Sequence, residues 1–278
     1  MSHNLSALAA LLASIAFATA ADAFDLKYVS HLEMHRPDVG LTEPSGLAVD
    51  PDASGWWIVS DEARTIFRLD ADGEISPYID FDARLHDLEG LAVDEGNSRL
   101  VVVSEHSGSI LTVSLKPPHR IEPIDLAALP APMDLSDALE DRNDGLEGVG
   151  VDPATGNVFV LKERNPRLLI EVAPSFERVV SVRNLDDVFP GDEDVSGLTL
   201  DPERKGFWIV SDVGKSVHFL PYLGDEIATF DLIWRDGSQK HRLDSAEGVA
   251  LSPDGHSLFV ISDDGKDSRL VQYEIVPR

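Results

Sequence analysis

The sequence predicts an all-β fold, a five-bladed β-propeller closed by its N-terminal strand, and three observations carry the prediction. One pattern recurs five times around a glycine: Ser45-Gly46-Leu47, Glu89-Gly90-Leu91, Glu147-Gly148-Val149, Ser196-Gly197-Leu198 and Glu247-Gly248-Val249. The glycines stand 44, 58, 49 and 51 residues apart, close to one blade each. Every copy alternates short β-branched or aromatic runs with turn formers, which reads as strands rather than helices.

The elements follow in chain order. Residues 1–23 have the form of a secretory signal: an apolar run over 5–17, too short for an ordinary membrane span, precedes Ala18-Thr19-Ala20 and Ala21-Asp22-Ala23. Cleavage is expected after Ala20 or Ala23, leaving one propeller domain over 24–278. The segment 26–32 has no blade of its own; placed as the outer strand of the last blade, it closes the ring. In each copy an inner strand begins at the glycine and ends in a turn such as Asp50-Pro51-Asp52 or Asp152-Pro153. A second strand follows, as in Trp56-Trp57-Ile58-Val59 and Phe207-Trp208-Ile209-Val210. Third strands are expected at 65–69, 110–115, 168–172, 217–222 and 270–275, and fourth strands at 75–81, 121–126, 179–182 and 228–234. The longest spacing carries a loop over 130–144 with one or two helical turns, and 186–194 forms a second acidic loop. Splitting the long second repeat would give six blades, the alternative architecture.

Composition narrows the partners. The 278 residues include 50 Asp and Glu against 23 Lys and Arg, a formal charge of −27. Such a surface repels nucleic acid and anionic lipid and attracts cations. The chain has no cysteine, which removes disulfides, thiol catalysis and Cys-ligated metals. Export without disulfides suits a periplasmic or secreted protein, held at the membrane periphery if the signal stays uncleaved. A monomer is expected.

The acids occupy matched positions. Fifteen residues after each glycine stand Asp61, Glu105, Glu163, Asp212 and Asp263. One strand down and one strand up returns the chain to the same face, so these five should join Glu89, Glu147 and Glu247 at the channel mouth. Where Ser45 or Ser196 precedes the glycine, Glu43 or Asp194 stands two residues earlier, and Asp87 adds an acid to the second blade. Crowded carboxylates need raised pKa values or a bound cation. Oxygen donors without cysteine select Ca²⁺ over Zn²⁺ or Cu²⁺, and His106, a single imidazole, does not make a transition-metal site. The expected metal set is therefore Glu43, Asp61, Glu89, Glu105, Glu147, Glu163, Asp194, Asp212, Glu247 and Asp263. For the strand-end acids, a role as staples accepting backbone N–H bonds from a neighbouring loop competes with ligation. The aspartates that end the inner strands (Asp50, Asp94, Asp152, Asp201) face the other way and read as Asx turns. Arg164, Lys162, Lys215 and Lys266 read as ion-pair partners of the acids, with Arg164 as an anion holder if a substrate enters the channel.

The signatures Glu43-Pro44-Ser45-Gly46-Leu47, Asp87-Leu88-Glu89-Gly90-Leu91, Gly145-Leu146-Glu147-Gly148-Val149 and Asp194-Val195-Ser196-Gly197-Leu198, with Val59-Ser60-Asp61, Val210-Ser211-Asp212 and Ile261-Ser262-Asp263, resemble those of the SdiA-regulated, YjiK-like family. The resemblance implies an exported bacterial propeller, with calcium association among relatives and no settled reaction. A looser likeness reaches phytase-like and esterase-like propellers. Two functions follow as expectations: a calcium-binding sensor or partner-binding module, or a calcium-dependent hydrolase of phosphate or carboxylate esters. In the latter, Glu89 or Glu147 would serve as general base. A purely structural or protein-binding propeller is the third. No Gly-x-Ser-x-Gly elbow is present.

Overall fold

The computed structural model of the chain describes residues 24–81, 86–140, 145–189 and 191–278. Twenty-two strands account for nearly all regular structure among them, and helix is confined to short 3₁₀ turns such as Glu95–Asn97. Five antiparallel four-stranded sheets form the blades. The first holds β2 (Pro44–Val49), β3 (Gly55–Ser60), β4 (Thr65–Asp70) and β5 (Ile75–Asp80). The second runs from β6 (Leu88–Asp94) through β7 (Arg99–Ser104) and β8 (Ser109–Ser114) to β9 (Ile121–Asp125), and the third from β10 (Leu146–Val151) through β11 (Val158–Lys162) and β12 (Leu168–Val172) to β13 (Val179–Asn184). The fourth comprises β14 (Gly197–Asp201), β15 (Gly206–Ser211), β16 (Ser216–Pro221) and β17 (Ala228–Asp231).

The last blade is built from both chain ends. Its strands β20 (Ala246–Leu251), β21 (Ser257–Ser262) and β22 (Arg269–Pro277) are completed by β1 (Phe24–Glu33), which pairs antiparallel with β22 from Phe24↔Pro277 to Glu33↔Arg269. Closure of this kind satisfies the edge that the last copy would otherwise expose. The expected five-bladed ring is the observed one, and the six-bladed alternative falls.

One element differs from the sequence reading. The fourth strand expected over 228–234 stops at Asp231, and β18 (Ile233–Asp236) turns back through β19 (Gln239–Arg242) as a separate hairpin. Its Trp234 stacks on His241 and packs edge-on to His31 of β1. The hairpin thus braces the closing strand from outside. The loop at 130–144 contains one i→i+4 turn bond, Leu139 N–H to Leu135 O at 3.0 Å, before it reaches residues outside those described. The expected signal segment, 1–23, also lies outside them. Among the described residues, no helix is long and apolar enough to cross a membrane.

The core lies between blades. Each blade-to-blade layer is a cluster of buried aliphatic and aromatic side chains, such as Ile66, Val59, Leu100, Val102 and Leu111 between the first and second blades. Phe24 seals the closing strand against Trp208, Phe219 and Phe230, with ring centroids 5.3–5.6 Å apart. Burying such side chains contributes about 1.5–3 kcal/mol each, so the clusters rather than disulfides hold the ring together.

Candidate metal centre at the acidic mouth

The repeated glycine sets the geometry of the axis. The inner strands β2, β6, β10, β14 and β20 touch one another in turn around the ring. A β-carbon added to Gly46 would lie 2.2 Å from Glu89 O; on Gly90 it would meet Glu147 O at 2.3 Å, on Gly197 Glu247 O at 2.3 Å, and on Gly248 Ser45 O at 2.6 Å. Only a residue without a side chain lets neighbouring inner strands approach this closely.

The residue before each glycine is aimed by a local irregularity. The pairing register shifts between Pro44 and Leu47, Leu88 and Leu91, Leu146 and Val149, and Ala246 and Gly248. Each shift spans the Ser-Gly or Glu-Gly step. A bulge of this kind re-aims a side chain while leaving the rest of the ladder intact. Glu43, Asp87 and Ser245, two residues upstream, enter these strands with φ of 42°, 61° and 49°.

The expected convergence of the acids is present. Glu43, Asp61 and Asp263 bring one oxygen each within 4.8 Å of the others, joining the first blade to the last. Asp87, Glu89 and Glu105 form a second such trio, and Glu105, Glu147 and Glu163 a third, so that Glu105 belongs to both. Asp194, Asp212 and Glu247 fall in none of the trios found among the described residues, although they act on the ring electrostatically.

Partners divide the acids into two kinds. Asp194 is a staple: its Oδ1 accepts from Ser211 Oγ at 2.6 Å and Val213 N at 3.1 Å, and Arg164 stands 3.7 Å from its Oδ2. Glu105 accepts the N–H of Gly145 in the next blade at 2.9 Å, and the carboxylate of Asp212 is bonded by Ser245 in the same way. The blade-staple reading therefore holds for these two strand-end acids. Glu163 is paired with Arg164. In contrast, no hydrogen bond or ion pair among the described residues engages the carboxylates of Glu89, Glu147 or Glu247, half-buried residues near the axis. Ser196, at the equivalent position of the fourth blade, has a buried hydroxyl without a partner among the described residues.

These surroundings move the proton affinities upward. Burial first, and then the charges of Asp61 and Glu247, raise Glu89 well above the ordinary carboxylate range. Burial and then Glu89 and Glu247 do the same to Glu147. Burial pushes Glu247 to about 8, with Asp212 and Asp194 adding to it. Asp61 and Glu163 rise to about 7, again chiefly through burial, and Asp212, Asp263 and Glu43 shift in the same direction for the same first reason.

Among the described residues, no ion pair joins a cation to the inner three. Lys162, fully buried, donates to Arg164 O. Lys215 pairs with Asp244 in the following loop rather than with the strand-end acid before it. Arg164, the expected anion holder, is engaged by Glu163 and Asp194.

Two features escaped the sequence reading. His86 comes to rest against His106, with ring centroids 4.2 Å apart, so His106 is not alone. On the opposite side of the glycines the channel widens into a cavity of about 1030 Å³. The residue two after each glycine, Ala48, Ala92, Gly150, Thr199 or Ala250, lines it. That position is small in all five copies, and this was the signal available in the sequence.

The fold and this ring define a propeller with an acidic axial mouth. The SdiA-regulated family profile matches residues 22–264, and the chain belongs to that family. Solved structures share the fold. A glutaminyl cyclase from Myxococcus xanthus superimposes with a TM-score of 0.61 at 13% identity, covering 92% of this chain and 98% of that one. A gluconolactonase from Xanthomonas campestris gives 0.51 at 15%, covering 84% and 72%, and a streptogramin B lyase 0.51 at 13%, covering 93% and 100%. At such identities the likeness is one of architecture, and it transfers no chemistry.

Proposed function

We propose that this protein is an exported, calcium-binding propeller whose acidic mouth takes up Ca²⁺ and so presents a stiffened surface to a partner in the cell envelope. The observation that supports the reading is that Glu89, Glu147 and Glu247, and the buried hydroxyl of Ser196 at the equivalent repeat position, have no partner among the described residues. Like charges placed together without counter-charge are costly, and the partners this mouth lacks are those a hard cation supplies. The donor set is all oxygen, which fits Ca²⁺, and a bound ion would neutralise charge from several blades at once.

A hydrolase would also exploit carboxyls whose proton affinity is raised toward neutrality. It would need a group to hold the substrate anion, and Arg164 is already engaged by two carboxylates. The binding module is therefore the better reading. The test is a thermal melt of the protein in EGTA, in Ca²⁺ and in Mg²⁺, repeated on a Glu147→Gln, Glu247→Gln double variant. A calcium-selective rise that the double variant loses is expected; equal melts in all three conditions would sink the proposal.

A further inference from the structure

The second blade carries a group that the oxygen ring does not use. His86, Asp87 and His106 each place one ligand atom within 4.8 Å of the other two. The pairing register explains why. Leu88 at the start of β6 lies opposite Ser104 at the end of β7, so His86 and His106 stand two residues beyond the same cross-strand pair, one on each strand. Backbone and hydroxyl bonds fix both extensions: Glu105 N–H donates to Asp87 O at 3.1 Å, and Ser104 Oγ to His86 O at 2.8 Å. The two imidazoles consequently face each other, 4.2 Å apart with 36° between their planes. Two rings and a carboxylate are thus delivered to one spot just beyond two paired strand ends, whose ladder anchors the segments that carry them.

We propose that His86, Asp87 and His106 form a binding site for a first-row divalent transition metal, Zn²⁺ foremost, separate in chemistry from the calcium ring. Imidazole suits Zn²⁺, Co²⁺ or Ni²⁺, whereas Ca²⁺ takes oxygen. Metal–ligand distances of about 2.0–2.1 Å require donor atoms about 3.3 Å apart, so small side-chain rotations close the trio on an ion. Three protein ligands leave a fourth position, and His106 is exposed, so that position opens to solvent. Asp87 also belongs to the trio with Glu89 and Glu105. Its two oxygens let it serve both sites, which makes it the link between a nitrogen-rich and an oxygen-rich metal position.

Cobalt provides the readout. Co²⁺ titrated into the full chain in excess Ca²⁺ should give visible d–d bands that saturate at one equivalent, and one equivalent of Zn²⁺ should bleach them. His86→Gln and His106→Gln, assayed separately, should each weaken binding about 100-fold or more, while Glu247→Gln leaves the bands intact. Bands absent from the parent, or undiminished in both histidine variants, would overturn the site. Should a variant not fold, the unmutated chain still decides: one equivalent of Zn²⁺ should protect His86 and His106, located by peptide mass, from carbethoxylation. Equal modification with and without Zn²⁺ would refute the proposal. The calcium-dependent melt should persist in both histidine variants, so the two metal readings fail independently.

Discussion

The two ends of the channel use their carboxylates in opposite ways. At the cavity end, four of the five inner strands finish in an aspartate bonded by nearby donors. Asp50 accepts from Trp57 Nε1, Ser54 and Arg68. Asp94 takes Arg99 Nε and Asn97 Nδ2, both at 2.8 Å, and Asp201 takes Trp208 Nε1 at 3.0 Å and Arg204 Nη1 at 2.8 Å. Asp152 closes an Asx turn onto Ala154 N–H at 3.0 Å. At the acidic end Glu89, Glu147 and Glu247 have no such partners among the described residues. Acid count alone does not distinguish the two ends; the missing partners do. A turn aspartate completes its own bonds within a few residues, whereas an axial glutamate meets mainly the glutamates of other blades.

The comparison can be broken most severely at the glycines between the two ends. Gly90→Ala places a methyl group against Glu147 O and the Val149 and Gly148 backbone, none of which can rotate away. A loss of about 3 kcal/mol or more is expected, seen as failure to fold or a sharply lowered denaturation midpoint. Gly150→Ala, on the cavity side, meets Leu200 Cδ1, the end of a flexible side chain with open space nearby. Its cost should be about 1 kcal/mol or less. Equal losses would mean that the glycine ring is not the tight point of the channel.

Calcium and pH sharpen the comparison from the acidic side. Saturation at 100 times the dissociation constant should add about 2.7 kcal/mol, or about 5–10 °C in Tm. Glu247, Asp61 and Glu163 have folded pKa values of about 8, 7 and 7, above their unfolded values. The folded state therefore holds more protons than the unfolded one between those limits, and metal-free stability must fall as pH rises. His218 opposes this at lower pH. Burial brings it down to about 4, so its contribution is present above about 6.5 and is lost as pH falls toward 4. Melts between pH 6.5 and 8 isolate the ring: Tm should decline in EGTA and stay nearly level in Ca²⁺, because the ion replaces the protons. A metal-free Tm that rises across this window would contradict the electrostatics of the mouth.

How much of this the sequence discloses depends on whether a feature repeats. The blades, the closing strand and the meeting of the acids were legible because the glycine and its partner fifteen residues on recur in register. The roles of individual acids were less so. Asp194 and Glu43 hold the same repeat position, yet Asp194 is tied to Ser211 and Glu43 is not. Both blades carry the serine at the same spacing; Ser60 donates to Thr42 O and Ser211 to Asp194, so the acceptor chosen, which no spacing encodes, separates them. The hairpin Ile233–Arg242 was hidden because Ile233 and Trp234, which open its first strand, end an apolar run that already satisfied the expected fourth strand. The His86–His106 pair was invisible for a different reason: it occurs in one blade only, and a reading built on repetition discards what does not repeat.

The smallest expected effects test the contrast through a change of the same kind at both ends. Asp201→Ala leaves Trp208 Nε1 buried without an acceptor and Arg204 without its carboxylate, so a loss of about 2 kcal/mol is expected. Asp152→Ala removes a turn bond on an exposed loop and should cost about 0.5–1 kcal/mol. Glu247→Gln also removes an acid, but in EGTA at pH 8 it should raise Tm, because the group it neutralises is repelled by its neighbours and bonded to none. Denaturant midpoints for the three variants give the order directly. If Glu247→Gln destabilised the metal-free protein as Asp201→Ala does, the axial glutamates would be structural staples like the turn aspartates, and the division between the two ends of the channel would fail.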